Sequence, residues 1–323
     1  MKAIRIHEFG PTEEVLRYEE VPIPEPSPEE MLIKVEAAAL NRADLSLRRG
    51  SYRVSAADLP LIPGRELAGT VVKLGHQVQG FRVGERVVAH PVLGGYAEYA
   101  VAKPAFARPI PDGVDAAVAA AMPTVFLTAW FGLMEEAGLK SSERVLVQAG
   151  SSGVGVAAIQ IARRAGAWVA TTAGSDQKTR RLAELGADEA INYAEVDFRD
   201  EVRRLTEGRG VDVVLEMVGG EVYTKSLDVL APGGRLVSIG GAAGPPPDPP
   251  PALTEGRRAV RFSITNYLNA RPEAFTMLDT MLGLVRDGTF QVVIDRRFPL
   301  AEARAAQRYL EGREHFGKIV LVP

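Results

Sequence analysis

The feature that most constrains this chain is a series of five short apolar runs: Val145-Leu-Val147, Trp168-Val-Ala170, Ala190-Ile191, Val213-Val-Leu215 and Leu236-Val-Ser-Ile239. Counted between Val145, Val169, Ile191, Val213 and Leu236, they stand 24, 22, 22 and 23 residues apart. That is the pace of β-α units rather than of helical repeats. Strands buried on both faces read as continuous apolar runs, and right-handed crossovers place a helix between each parallel pair. The spacing therefore predicts an α/β, doubly wound parallel sheet. The intervening stretches carry helix signals: Ser175 or Asp176 offers an N-cap before Lys178 to Leu185, and Gly186 offers a stop.

The first 120 or so residues have a different texture. Extended runs such as Met31 to Ala38, Ala68 to Leu74 and Arg86 to Ala89 are punctuated by Gly and Pro, as in Ile62-Pro-Gly64 and Phe81-Arg-Val-Gly84. This predicts a compact, loop-rich β domain. Beyond the sheet, Pro272 to Asp287 and Leu300 to Arg313 have helical spacing and Lys318-Ile-Val-Leu321 reads as a last strand, so the end of the chain is expected to return to the first domain. Six of the seven residues from Pro245 to Pro251 are Pro, which predicts an exposed, stiff loop.

The segment Arg144-Val-Leu-Val-Gln-Ala-Gly-Ser-Ser-Gly-Val-Gly155 runs from the first of the five strands into a helix over 156–165. Gly150, Gly153 and Gly155, with Ser152 and Val154 between them, suit a tight turn. Such a turn permits close approach of a pyrophosphate, close packing of helix on strand, and helix N–H groups facing the phosphates. The glycine pattern alone is weak; heading five regular β-α units, it predicts a dinucleotide site. An NAD site places a carboxylate about 20 residues on, at the end of the second strand, to hold the ribose hydroxyls. Here that strand ends Ala170-Thr-Thr-Ala-Gly174 without an acid, and Ser175 and Lys178 follow, a hydroxyl and a cation suited to a 2′-phosphate. Asp176 reads as a cap. The expected cofactor is NADPH.

Several further motifs, Ala39-Leu-Asn-Arg-Ala-Asp44, Pro63-Gly-Arg-Glu-Leu-Ala-Gly69, Val83-Gly-Glu-Arg-Val87, Gly94-Gly-Tyr-Ala-Glu98 and Leu185-Gly-Ala-Asp188, complete a pattern over essentially the whole chain. In these the sequence resembles the zinc-independent quinone oxidoreductase branch of the medium-chain dehydrogenase/reductase superfamily. The resemblance implies a GroES-like domain over 1–123 and 269–323 and a Rossmann domain over 124–268. It also implies a homodimer joined through the sixth strand of each sheet, near Arg261 to Tyr267.

Zinc-dependent relatives place a Cys where Asn41 stands and a His-Glu pair where Arg65-Glu66 stands. This chain has no cysteine, and His7, His76, His90 and His315 lack metal-ligand spacing and read as surface or loop residues. A catalytic zinc takes about three protein ligands, so no metal is expected. By resemblance, Asn41 would sit beside the nicotinamide, Tyr52 at the substrate mouth, Thr128 near the nicotinamide amide, Lys178 and Tyr193 around the 2′-phosphate with Gly174 and Ser175, and Ile239 and Gly240 beside the cofactor. Read as residues alone, Asn41 also suits a cap for the helix through Leu47, and Tyr52 suits loop packing. Met217 reads as packing, and Gly317-Lys318 as strand structure rather than chemistry.

Three functions remain in view: reduction of a quinone or conjugated carbonyl, reduction of an enoyl thioester or enone, and binding of NADPH without turnover. The partner expected is a small-molecule electron acceptor. A net charge of −3 with no Lys/Arg block disfavours nucleic acid. The absence of a signal-peptide core or an apolar run of about 18 residues predicts a soluble, cytoplasmic protein.

Overall fold

The computed structural model describes residues 1–323 other than Val92, Pro246 and residues 248–250. The expectation of a stiff loop from Pro245 to Pro251 falls partly outside the described residues. Pro245, Pro247 and Pro251 are exposed. The chain divides into two compact units, Met1–Thr124 with Ala270–Pro323, and Val125–Asn269.

The first unit opens with the antiparallel pair β1 (Lys2–Ile6) and β2 (Leu16–Glu20). There follow β3 (Met31–Ala39), the short helix α1 (Arg42–Arg48), β4 (Leu67–Leu74), β5 (Arg86–Ala89), β6 (Tyr99–Ala102), β7 (Ala107–Pro109) and helix α2 (Ala116–Ala120). β3 alternates buried and exposed residues through Lys34 and Glu36, as a strand with one face on the core must. Its register against β4 shifts at Leu32/Ile33 and at Val35/Ala37, two irregularities that bend the pair. Ile33, Val71, Val87 and Tyr96 meet in the core of this unit.

The second unit holds α3 (Pro123–Trp130, its first two residues in the first unit), β8 (Arg144–Val147), α4 (Gly153–Arg164), β9 (Trp168–Ala173), α5 (Asp176–Glu184) and β10 (Glu189–Asn192). It continues through α6 (Phe198–Leu205), β11 (Val211–Glu216), α7 (Gly220–Asp228), β12 (Leu230–Ser238), β13 (Arg258–Arg261) and α8 (Ile264–Ala270, whose last residue lies in the first unit). The six strands are ordered β10-β9-β8-β11-β12-β13, every neighbouring pair parallel. This is the doubly wound Rossmann order, in which the chain reverses direction across the sheet between β8 and β11. One residue from each of the five apolar runs, Leu146, Ala170, Ile191, Val214 and Leu236, packs into a single cluster. The expected sixth strand at 261–267 lies earlier, at 258–261. Ile264 and Leu268, four residues apart and both buried, belong instead to α8.

The chain then re-enters the first unit with α9 (Met277–Arg286), β14 (Ile294–Pro299), α10 (Ala303–Glu311) and β15 (Lys318–Val322). β15 pairs in parallel with β14 and antiparallel with β3, adding two strands to the GroES-like sheet in the order β14-β15-β3-β4-β5-β7. Lys318 and Ile319 are thereby brought beside the end of β3, where the Leu40 N–H donates to the Ile319 carbonyl.

Candidate active site

In the second unit the turn from β8 to α4 lies at the C-terminal end of the sheet where strand order reverses, the place where open α/β sheets bind ligands. Ser152 caps α4, its Oγ accepting from the Gly155 N–H at 3.0 Å. The glycines answer to space. A Cβ on Gly150 would lie 2.1 Å from Thr171 Oγ1, and one on Gly155 2.5 Å from the carbonyl oxygens of Ala149 and Gly150. The left-handed residue of the turn is Ala149, φ 51°, whose N–H donates to Thr172 Oγ1. Gly153 and Val154, half-buried, form the first turn of α4. A pyrophosphate fits this cradle: the backbone carries no side chain at Gly150, Gly153 and Gly155, and the helix end supplies N–H donors.

At the end of β9, Gly174 is exposed, and a Cβ there would lie 2.7 Å from the Tyr193 hydroxyl. Tyr193, 53% exposed, therefore lies across Gly174. Ser175 is the N-cap of α5 and accepts from the Lys178 N–H at 3.4 Å. Asp176 is not the cap; its carboxylate accepts from Asn192 Nδ2 at 2.8 Å, tying α5 to β10. Ile239 donates its N–H to the Glu216 carbonyl, and Gly240 follows at the end of β12. Thr128 is buried on α3. Met217 does more than pack, since Ser152 Oγ donates to its sulfur at 3.3 Å. Beside it the Glu216 carboxyl is pushed up by burial, against hydrogen bonds from the N–H groups of Gly219 and Val218.

In the first unit the motif residues gather into one polar cluster. Asn41 stands at the N-cap of α1, and its N–H donates to the Asp44 carboxylate at 2.8 Å. Its side-chain amide also bonds beyond the helix: Nδ2 donates to Glu66 Oε1 at 2.8 Å, and Oδ1 accepts from Lys318 Nζ at 2.8 Å. Glu66 is fully buried and accepts also from Lys318 Nζ at 2.7 Å and from the Thr124 N–H at 2.8 Å. Burial pushes its carboxyl up, but the Lys318 charge and these hydrogen bonds together hold it below the ordinary range. The turn that presents Arg65 and Glu66 depends on Gly64, φ 96°, where a Cβ would lie 2.4 Å from the Tyr96 ring. Arg65 is buried and donates to the Tyr52 hydroxyl at 2.7 Å.

Two expectations are corrected here. Lys318 is not merely strand structure, for its ammonium is buried within the cluster. His90 and His315 lie in loops, but they are buried rather than at the surface. His90 is pushed down to about 4, first by burial and then by the charge of Arg65.

A zinc ion does not fit this donor set. Both Glu66 oxygens are already engaged, one of them by the Lys318 ammonium, and no group of three or more His, Asp or Glu that could hold a metal occurs among the described residues. Nor is any helix, among the described residues, long and apolar enough to cross a membrane.

Residues 27–112 match the family described as alcohol dehydrogenase GroES-like domain, and residues 185–321 the family described as zinc-binding dehydrogenase. The chain is 32% identical to the quinone oxidoreductase of Sus scrofa over 324 residues, covering 100% of this chain and 98% of that protein. It is 35% identical to a phenolphthiocerol/phthiocerol polyketide synthase protein of Mycobacterium tuberculosis, over 95% of this chain and 14% of that much longer one. The Escherichia coli quinone oxidoreductase complexed with NADPH superposes with a TM-score of 0.92 at 29% identity, each chain covered in full. With two matching domains and whole-length relatives of this kind, the chain belongs to the medium-chain dehydrogenase/reductase superfamily, within its quinone oxidoreductase branch.

Proposed function

We propose that this protein reduces a quinone or related conjugated carbonyl by hydride transfer from NADPH, without a catalytic metal. NADPH is the cofactor: when bound, it supplies the hydride. Gly150, Ser152, Gly153, Val154 and Gly155 would hold its pyrophosphate, and Gly174, Ser175, Lys178 and Tyr193 its 2′-phosphate; Thr128, Ile239 and Gly240 would border its nicotinamide. The chain's part is placement, which alone brings reacting atoms to about 3–3.5 Å and removes much of the entropic barrier.

The observation that carries the metal-free reading is the pairing of Lys318 with Glu66 and Asn41, which fills with fixed side chains the positions where zinc-dependent relatives put ligands. Asn41 offers an amide N–H to the oxygen of the acceptor. The quinone gains two electrons and a proton as hydride, and a second proton from water or from Tyr52 completes the hydroquinone. The likeness to a segment of a polyketide synthase supports a second reading, reduction of an enoyl thioester, in which Tyr52 would protonate the carbon next to the thioester carbonyl.

The test is a panel of quinones, enones and enoyl thioesters, with loss of NADPH absorbance as the readout and metal content measured on the same sample. Steady turnover of quinones by metal-free protein supports the first reading. Turnover of thioesters alone replaces it with the second. Tight NADPH binding with no turnover replaces both with a binding role. We further propose a cytoplasmic homodimer joined through β13, the edge strand of the sheet.

A further inference from the structure

Lys318 opens β15 and is 4% exposed, yet its ammonium meets three oxygens: the Leu40 carbonyl at 2.6 Å, Asn41 Oδ1 at 2.8 Å and Glu66 Oε1 at 2.7 Å. An ammonium has three N–H donors, so Nζ is saturated. Stability alone is a poor reason for such a group. Desolvation consumes most of the Coulombic gain of a buried pair, and apolar residues of similar volume often serve as well. The strand enters this position through Gly317, φ 90°, where a Cβ would lie 2.4 Å from the Val293 carbonyl oxygen.

Asn41 provides the reason. The two ends of a side-chain amide have nearly the same shape, and only their partners decide which way it faces. At Asn41 both ends meet charged partners of opposite sign, the Glu66 carboxylate on Nδ2 and the Lys318 ammonium on Oδ1. A flip would set donor against donor and acceptor against acceptor. The second N–H of Nδ2 makes no hydrogen bond to a described residue, and an amide whose oxygen accepts from a cation is a stronger donor through its nitrogen.

We propose that Lys318 is a positioning residue: with Glu66 it locks the Asn41 amide so that its remaining N–H serves the acceptor oxygen, a built-in cation acting where zinc-dependent relatives use a metal. The inference rests on the proposed function in assuming that Asn41 meets the acceptor.

The experiment compares wild type with Lys318→Met, Glu66→Gln and the double variant Lys318→Met/Glu66→Gln. Melting temperature, NADPH affinity, kcat and the acceptor KM are measured for each. Lys318→Met alone strands the Glu66 charge and is expected to lose both stability and turnover. The double variant has no stranded charge, and the introduced glutamine amide keeps an oxygen for Asn41 Nδ2. It is expected to recover the wild-type melting temperature and NADPH affinity while kcat stays roughly 10–100-fold low with little change in KM. Recovery of kcat together with the melting temperature would overturn the proposal, because Lys318 would then only neutralise Glu66.

A readout independent of turnover is the side-chain 15N–1H pair of Asn41, assigned by its loss in Asn41→Asp. It should shift and broaden in the double variant; an unchanged pair sinks the proposal. If wild type reduces no acceptor, the proposed reaction fails, while this signal still decides the role of Lys318.

Discussion

The hydroxyl of Tyr52 accepts a 2.7 Å hydrogen bond from Arg65, and the same guanidinium lies 5.2 Å from the centre of the Tyr52 ring. Arg65 thus fixes both the ring and the oxygen of the one phenol proposed to face the acceptor. The two proposed reactions make different demands on it. A quinone needs little more than placement, whereas an enoyl thioester needs a proton delivered to carbon, and a positioned acid contributes about 10²–10⁴-fold. Tyr52→Phe is therefore expected to leave quinone turnover within about threefold of wild type and to lower any thioester or enone turnover roughly 100-fold or more. Arg65→Met should reproduce the second effect. The double variant should be no worse than either single one, as residues acting as one unit are not additive. Equal losses with quinone and thioester would remove Tyr52 from the acid role.

The proposed 2′-phosphate site lies at the start of α5. Ser175 caps the helix and Lys178 lies one turn in, with Tyr193, in the turn just after β10, across Gly174. A hydrogen bond to a charged group is worth about 1.5–3 kcal/mol, roughly a 10–100-fold change in Kd. Lys178→Ala should weaken NADPH by that factor and change NADH binding by less than about twofold. Equal weakening of the two would place Lys178 away from the 2′-phosphate. Titration of cofactor fluorescence measures both.

The second unit was legible because its information is local. Each apolar run lies within a few residues of its turn, and the spacing between runs set the sheet. Even there one burden falls elsewhere: the backbone freedom expected of the glycines belongs to Ala149, and Gly150 and Gly155 are required for room instead. The polar cluster was only half legible. Asn41, Arg65 and Glu66 sit in short motifs, but Lys318 reaches Glu66 across 252 residues of sequence and Asn41 across 277. No window of sequence holds both ends of such a contact. The available signal was a lysine opening the otherwise apolar run Ile319-Val-Leu321, a charge that a buried strand tolerates only with partners. The strand expected at 261–267 failed for a different reason. Val260, Phe262 and Ile264 alternate as in a strand, and only the burial of Ile264 with Leu268 selects a helix.

His90 gives the protein a dependence on acid. Its folded value is about 4 against an ordinary 6.5, because burial and the Arg65 charge disfavour the imidazolium. Between those values the unfolded chain binds a proton that the folded one does not, so stability is complete above about pH 6.5 and falls toward pH 4 at up to about 1.4 kcal/mol per unit. Asp44 and Glu216, both raised chiefly by burial, act with the opposite sign, gaining stability as pH falls through their folded values. His90→Leu removes the histidine's share alone. The difference in urea midpoint between pH 7 and pH 5 should therefore shrink in the variant relative to wild type, and an identical difference in both proteins would show that His90 takes up a proton in the fold.

Glycines of this chain that look alike in sequence should answer oppositely to alanine. At Gly155 the new Cβ would meet backbone oxygens at 2.5 Å on two sides, and no side-chain rotation relieves a backbone clash. Gly155→Ala must open the turn that presents the Ser152 cap and the helix N–H groups, and it is expected to lower NADPH affinity by at least about tenfold together with a loss of about 1–3 kcal/mol in stability from overpacking. Gly283, in the middle of α9, has nothing within 4 Å of a built Cβ and no positive φ. There alanine only removes the backbone entropy that glycine forfeits in a helix, so Gly283→Ala should raise stability by about 0.5–1 kcal/mol and leave NADPH binding unchanged. Denaturant melts of the two variants, each with and without NADPH, separate the effects. If Gly155→Ala still gained wild-type stabilisation from saturating NADPH, the close approach of the cofactor to this turn would be wrong, because only binding to the native fold raises stability by mass action.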